Sequence, residues 1–341
     1  MNRNKACMWT GILMVALLVG LAGGARAELK WNCQAIFPAG SSLYKEFVAF
    51  TEKIKVMSNG ELVITPHPVG AIVGYKDMHG ALQTGVLQAY FSAPTFQAGK
   101  EPAFSLFADL PGGYENVMQF YAWYYQKGGL QMLQDAHAKW KNHCVGVIFY
   151  GREVLPAKVV IRTAADLKGK KIRAAEGIIA DLMTALGAST VSIPGSEVYS
   201  ALDKGVIEAS DWGTRSMNDQ MGLYEVCKFS IEPGFHSMSA LEFVVAGKQW
   251  DSLSDNLKQI LESATREWSW NTVTRVMKED AEIGPKLKQM GVEIVSFPKQ
   301  DYQTIRGVAR ELWMKWAEKS PLTKQVVDSQ VQWCKELGLL E

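Results

Sequence analysis

Two arginines carry the clearest binding chemistry in this chain. Arg152 lies in Tyr150-Gly151-Arg152-Glu153, directly after the apolar run 145–149. Arg173 lies on the short run 171–174, after the turn Asp166-Leu167-Lys168-Gly169-Lys170. A guanidinium at a strand end can hold a carboxylate through two parallel hydrogen bonds in one plane. An ordinary surface salt bridge is the competing reading for either residue. The five histidines, His67, His79, His137, His143 and His236, show no His-Glu-x-x-His or other paired metal spacing. No Gly-x-Ser-x-Gly elbow, phosphate-cradling loop or Gly-x-Gly-x-x-Gly is present. An enzyme would have to use scattered residues, with Asp211 and His236 as an acid–base pair brought within hydrogen-bond reach.

The elements that position these residues alternate between apolar runs and helical periodicity, so the fold class is α/β. Residues 29–36 read as a strand, Pro38-Ala39-Gly40-Ser41-Ser42 caps a helix reaching Met57, and 61–65 reads as the next strand. A helix over 76–83 leads through Gly85 into a strand over 86–91. The same grammar returns with strand 171–174, helix 178–186, strand 190–193, helix 197–203 and strand 206–210. Ala81-Leu82-Gln83-Thr84-Gly85-Val86-Leu87-Gln88-Ala89 can be laid on Ala201-Leu202-Asp203-Lys204-Gly205-Val206-Ile207-Glu208-Ala209. Each is a helix end, a glycine suited to a left-handed cap, then a strand. Ligands of open α/β sheets sit beyond the carboxyl ends of strands. That rule places Tyr90, Phe91 and Ser92 of one lobe opposite Asp211 and Trp212 of the other. A helix from Asp255 to about residue 289, roughly 50 Å long and bent at Gly284-Pro285, would brace both lobes. A strand over 291–297 and amphipathic helices over 301–317 and 323–337 follow, with Trp313 and Trp316 facing the core.

A length of 341 residues exceeds what one hydrophobic core supports, which also argues for two lobes. Hydrophobic residues at 48% and charged residues at 21% exclude wholesale disorder. Net charge is +1, but residues 1–27 hold Arg3, Lys5 and Arg26 and no acid. Without them 33 basic residues face 35 acidic ones, a net −2 that excludes a nucleic-acid surface. Arg3 and Lys5, the apolar run 8–22 and the exit Ala25-Arg26-Ala27 follow the order of a secretory signal peptide. The expected mature chain begins at Glu28 and resides in the periplasm. Its cysteines, Cys33, Cys144, Cys227 and Cys334, allow three pairings but read most simply as small buried thiols.

Several stretches resemble the DctP-type solute-binding subunits of tripartite ATP-independent periplasmic (TRAP) transporters. They are Ser58-Asn59-Gly60-Glu61-Leu62, the segment from Pro68-Val69-Gly70 to Ala89, Asp166 to Arg173, and Ser196-Glu197-Val198-Tyr199-Ser200 to Ala209. Ala122-Trp123-Tyr124-Tyr125, Asp211-Trp212 and Pro233-Gly234-Phe235-His236 are similar to the 2-oxo-acid and lactate-binding branch. Three positions depart from it: Tyr150-Gly151-Arg152-Glu153 replaces Asn-Thr-Gly-x-Gln, Asp211 replaces Glu, and Phe235 stands where Trp is common. The resemblance implies a two-lobed, type II-like binding protein with hinge strands and a long lobe-spanning helix. Residues 28–149 with about 238–277 would form lobe I. Residues 150–237 with about 278–322 would form lobe II, and 323–341 a C-terminal helix.

By the same resemblance, Arg173 clamps the ligand carboxylate and Arg152 is the second, variable basic position. Trp212, Asp211, Phe91, Ser92, Tyr90, Phe235 and His236 complete the expected site. Asp211 and Trp212 would hold a sodium or calcium ion through a side-chain oxygen and a backbone carbonyl; no other cofactor is expected. The implied function is capture of an organic acid by hinge closure and its delivery to membrane permease subunits, with a homodimer through the C-terminal helix as a further implication. The alternatives are the Asp211–His236 hydrolase or lyase and a ligand sensor for a signalling partner.

Overall fold

Among the described residues, 28–340 of the computed structural model, eleven strands form two sheets. The expected signal peptide lies outside them. The first sheet, in the order β2-β1-β3-β10-β4, joins β1 (Leu29–Ala35), β2 (Leu62–His67), β3 (Ala89–Ser92), β4 (Asn142–Phe149) and β10 (Ala240–Ala246). The second, in the order β11-β9-β5-β8-β6-β7, joins β5 (Leu155–Ala157), β6 (Lys171–Arg173), β7 (Ser189–Val191), β8 (Ala209–Ser210), β9 (Phe229–Ile231) and β11 (Glu293–Val295). Each sheet is one lobe's centre. The chain passes between them through 150–154 and 232–239, the two extended connections that follow β4 and β9.

The internal repeat is structural. Gly85 and Gly205 cap their helices at φ 78° and 72°. Leu87 and Ile207 each return a backbone N–H to the carbonyl of Ala81 or Ala201, at 3.1 and 3.3 Å. Val86 and Val206 stay exposed while Leu87 and Ile207 are buried. Both strands therefore begin at the following alanine, three residues later than hydrophobicity alone suggests.

The long helix spans Asp255–Glu282, and a separate turn Gly284–Gln289 follows, with Pro285 in its first turn where proline lacks no needed donor. Leu257, Leu261, Ala264 and Trp268 bury one half of the helix in the first lobe. At its other end Asp280 accepts from Thr214 Oγ1 (2.9 Å) and the Ser216 N–H (2.7 Å) of the second lobe. Glu279 meets Ser42 Oγ and Gln220 Nε2, one from each lobe. The brace is real, at about 42 Å by helical rise.

Helices Ala103–Ala108, Val117–Gln126 and Gly129–Ala138 bury Phe104, Phe107, Phe120, Trp123, Tyr124 and Leu133 in the first lobe. Helix Lys299–Ala317 packs against Ile178–Ala185, and Trp313 and Trp316 face the core. Helix Pro321–Glu336 lays Val326, Val327 and Cys334 onto its own chain, and its exposed residues include Lys324, Gln325, Asp328 and Lys335. All four cysteines from residue 28 onward are buried and unpaired.

Candidate functional site

A cavity of about 120 Å³ lies where strands of both sheets end. Phe37 follows β1, Ala93 to Phe96 follow β3, Arg173 ends β6, and Asp211 and Trp212 follow β8. One wall is apolar, built by Phe37, Tyr75, Phe96 and the Trp212 ring. The polar pole is made by Arg173, Asp211, Glu153 and Asp109. Trp212 keeps its orientation because Gly195 packs against its ring; a Cβ there would overlap the indole.

Arg173 is buried and already half committed. Its Nε donates to the Ile193 carbonyl (3.4 Å) and its Nη1 to the Asp211 carbonyl. Among the described residues Nη2 has no hydrogen-bond partner, although Asp211 Oδ2 lies 4.0 Å from Nη1. The guanidinium also lies 5.7 Å from the centre of the Trp212 ring. A positioned arginine with an unused edge beside an apolar wall suits a carboxylate bearing an apolar tail.

Beneath it sit Glu153, Asp211 and His236, whose metal-capable atoms lie within 4.8 Å of one another. His236 Nε2 is 3.3 Å from Asp211 Oδ1 and 3.6 Å from Glu153 Oε2. Burial disfavours the imidazolium, yet the close carboxyl groups and charge of Asp211 and Glu153 raise His236 to about 9. Burial and the Asp211 charge push Glu153 up to about 8. Burial also opposes the Asp211 charge. Close polar contacts with Glu153 and His236 and the cations His236 and Arg173 outweigh it and hold Asp211 below the usual carboxylate range. Asp109 accepts from Ser237 Oγ and the Met238 N–H, but burial raises it to about 7.

Arg173, Asp211 and Trp212 therefore meet in one cavity, with His236 directly behind. The other expected residues lie elsewhere. Tyr90, Phe91 and Ser92 lie within β3, hydrogen-bonded on both sides by β1 and β10, so their side chains enter the core. Tyr90 donates to Glu242 Oε1 (2.9 Å), and the Phe91 ring lies 4.5 Å from Trp268. Ala93, Thr95 and Phe96 take their place at the cavity. Arg152 and Phe235 face a different cavity. Glu153 reaches the site because neighbours on an extended segment point to opposite faces. Tyr75, Ser105 and Asp109 sit on loops and a short helix, where the sequence carries no binding signal.

Contacts cross the cavity mouth between lobes. Lys76 pairs with Glu176, Thr95 Oγ1 donates to the Glu176 carbonyl (2.8 Å), and the Ile178 N–H donates to Ser105 Oγ (2.8 Å).

The model of the bacterial extracellular solute-binding proteins, family 7 (DctP), matches residues 34–320. The chain belongs to this family. A monocarboxylate 2-oxoacid-binding periplasmic protein of Nostoc sp. is 26% identical to this solute-binding protein over 313 residues, 90% of this chain and 83% of the relative. A TRAP periplasmic solute-binding protein from Rhodobacter sphaeroides, solved in an apo open form, is 32% identical. It covers 91% of this chain and 99% of its own, with a TM-score of 0.74. One from Colwellia psychrerythraea, solved with bound calcium and pyruvate, is 24% identical. It covers 92% and 96% of the two chains, with a TM-score of 0.83. The two-lobed α/β architecture and the TRAP assignment follow.

Proposed function

We propose that this solute-binding protein holds a small monocarboxylate of the 2-oxo-acid kind between its lobes and passes it to membrane permease subunits. The observation that carries the reading is Arg173, buried at the end of β6 with Nη2 unused and the apolar Trp212 ring beside it. The cavity volume of about 120 Å³ suits a ligand of only a few heavy atoms. The Nostoc relative's name points to the same class. Lobe I is taken as 28–149 with about 238–277 and lobe II as 150–237 with about 278–322, a division supported by the strands of each sheet. Closure about the segments 150–154 and 232–239 would bring Thr95 and Ser105 onto Glu176 and Ile178, selecting the closed population through contacts only that state makes.

A cation belongs to this reading. Asp211 and Trp212 would hold it, and Glu153 Oε2, buried without a hydrogen-bond partner, adds an oxygen of the kind hard cations prefer. When bound, the ion would supply positive charge for the ligand's oxygens. No bond chemistry is assigned to Asp211 and His236. A base must be free to accept a proton, whereas His236 is enclosed and holds its proton to about pH 9. Export after cleavage at Ala27 completes the proposal, checked by the mature N-terminus of protein from a periplasmic extract.

Thermal-shift and native mass-spectrometric screening against 2-oxo acids, hydroxy acids and dicarboxylates tests the assignment, since a ligand stabilises by mass action. Pyruvate or a close homologue should shift melting most. A panel in which only amines or neutral sugars bind would end it.

A further inference from the structure

A second cavity of about 300 Å³ lies behind the first. Both extended connections between the lobes line it, one through Arg152 and the other through Gly234 to Ser237, and helix Lys299–Ala317 closes it. Asp109 and Ser237 face both cavities, so the two spaces stand back to back.

Three cations converge there: Arg152, Lys299 and Arg306. Arg152 donates to the carbonyls of Gly234 (3.2 Å), Tyr114 (3.4 Å) and Glu115 (2.6 Å), not to a carboxylate. Arg306 reaches the exposed Glu115 carboxylate at 3.7 Å. Among the described residues Lys299 has no ion pair. Asp109, the one acid on the cavity wall, is committed to Ser237 and Met238. His236, fully enclosed on the same wall, has no hydrogen-bond partner for Nδ1. Like charges gathered on the wall of an open cavity of this size, with one acid to face them, call for a counter-anion with more than one charge.

We propose that this cavity is a second binding site, for a small multivalent oxyanion such as inorganic phosphate, held by Arg152, Lys299 and Arg306 behind the hinge. Phosphate and a short dicarboxylate share that chemistry. The proposal does not rest on which acid the first cavity takes.

Titration calorimetry with inorganic phosphate at low ionic strength, and separately with malonate, tests it. Wild type should bind one phosphate saturably, and Arg173→Lys, altered only in the first cavity, should bind it equally well. The double variant Lys299→Gln/Arg306→Gln should lose at least about tenfold in affinity. The exposed single variant Lys299→Gln, which leaves the fold intact, should lose several-fold. Malonate binding as tightly in a wild type that ignores phosphate would assign the site to dicarboxylates and overturn the phosphate claim. No saturable anion binding, binding abolished by Arg173→Lys, or binding unchanged in Lys299→Gln/Arg306→Gln would overturn the site itself.

Discussion

His236 Nε2 lies 3.3 Å from Asp211 Oδ1, and both side chains are enclosed. The pair acts as a fixed ion pair under the ligand cavity. Near neutral pH Arg173 and His236 are cationic, Asp211 is anionic, and Glu153, held up to about 8, keeps its proton. These four groups sum to one surplus positive charge, which Asp109, raised to about 7 and so about half ionised there, partly offsets; the remainder favours a monocarboxylate in the absence of a bound cation.

Stability of the unliganded protein should therefore decline as the solution becomes alkaline. The folded chain keeps the His236 proton to about pH 9, against an ordinary 6.5, and the Glu153 proton to about 8, against 4.5. Between those values the unfolded chain has released protons that the folded chain retains, so raising pH favours unfolding. The His236 contribution is complete below about pH 6.5 and gone above about 9, at up to about 1.4 kcal/mol per pH unit for each retained proton. Asp211 acts in the opposite sense, and only as pH falls below its ordinary 3.8. Melting curves in chelator from pH 6 to 9 should show a falling midpoint, less steep in His236→Asn. A midpoint that rises over this range would contradict the assignment.

Glu153→Gln separates the proton from the carboxyl shape. At pH 7 the native side chain is mostly neutral, so pyruvate affinity in chelator should stay within about threefold of wild type. Above pH 8 the wild-type carboxylate ionises beside the ligand's charge and affinity should fall, whereas the glutamine variant should hold its affinity. Calorimetry at pH 7 and 9 reads both effects, and identical pH profiles would show that Glu153 does not face the ligand.

Much of this arrangement is written locally. The helix–glycine–strand grammar around Gly85 and Gly205 locates the ends of β3 and β8, and Asp211 and Trp212 follow from it. The same rule places Tyr90 to Ser92 too early, because Val86 to Gln88 form the turn after the glycine cap and the strand runs on through Ser92. Arg152 and Glu153 are adjacent in sequence, yet they serve different cavities. Only the path of the extended connection decides which side chain faces the ligand. Helix Ala103–Ala108 is buried on every face, so no periodicity reveals it. His236 meets Asp211 across 25 positions of chain, a distance that no local pattern encodes.

Gly177 tests closure. It carries φ 93° and ψ −149°, a region essentially confined to glycine that alanine adopts at a cost of about 1–3 kcal/mol. An added Cβ would also press on Ser105 Cβ at 2.9 Å and Thr95 Oγ1 at 3.1 Å, both on the opposite lobe. Gly177→Ala should therefore hold the lobes apart, weakening pyruvate binding and leaving a larger radius of gyration at saturation. Lys76→Ala removes the exposed pair with Glu176 and a contact with the Tyr75 ring, so its loss should stay under about fivefold and shrink at high salt. Wild-type affinity and compaction in Gly177→Ala would refute closure at this contact.

Arg173 decides the ligand assignment. Its Nε and one Nη1 hydrogen serve the Ile193 and Asp211 carbonyls, leaving Nη2 and the rest of Nη1 for two parallel bonds to a carboxylate. Lysine offers one compact charge in place of that fork. A charge-assisted bond contributes about 1.5–3 kcal/mol, so Arg173→Lys should weaken pyruvate binding about tenfold to a hundredfold. Arg173→Ala should lose more, and it should also melt earlier than Arg173→Lys, because the two buried carbonyls lose their donor. Arg152→Ala should leave affinity nearly unchanged, since its guanidinium serves the other cavity. Calorimetry with pyruvate on the three variants, beside their melting curves, reads affinity and stability separately. Undiminished pyruvate binding in a folded Arg173→Ala would show that the carboxylate is held elsewhere, and equal losses in Arg152→Ala and Arg173→Lys would show that both arginines meet the ligand.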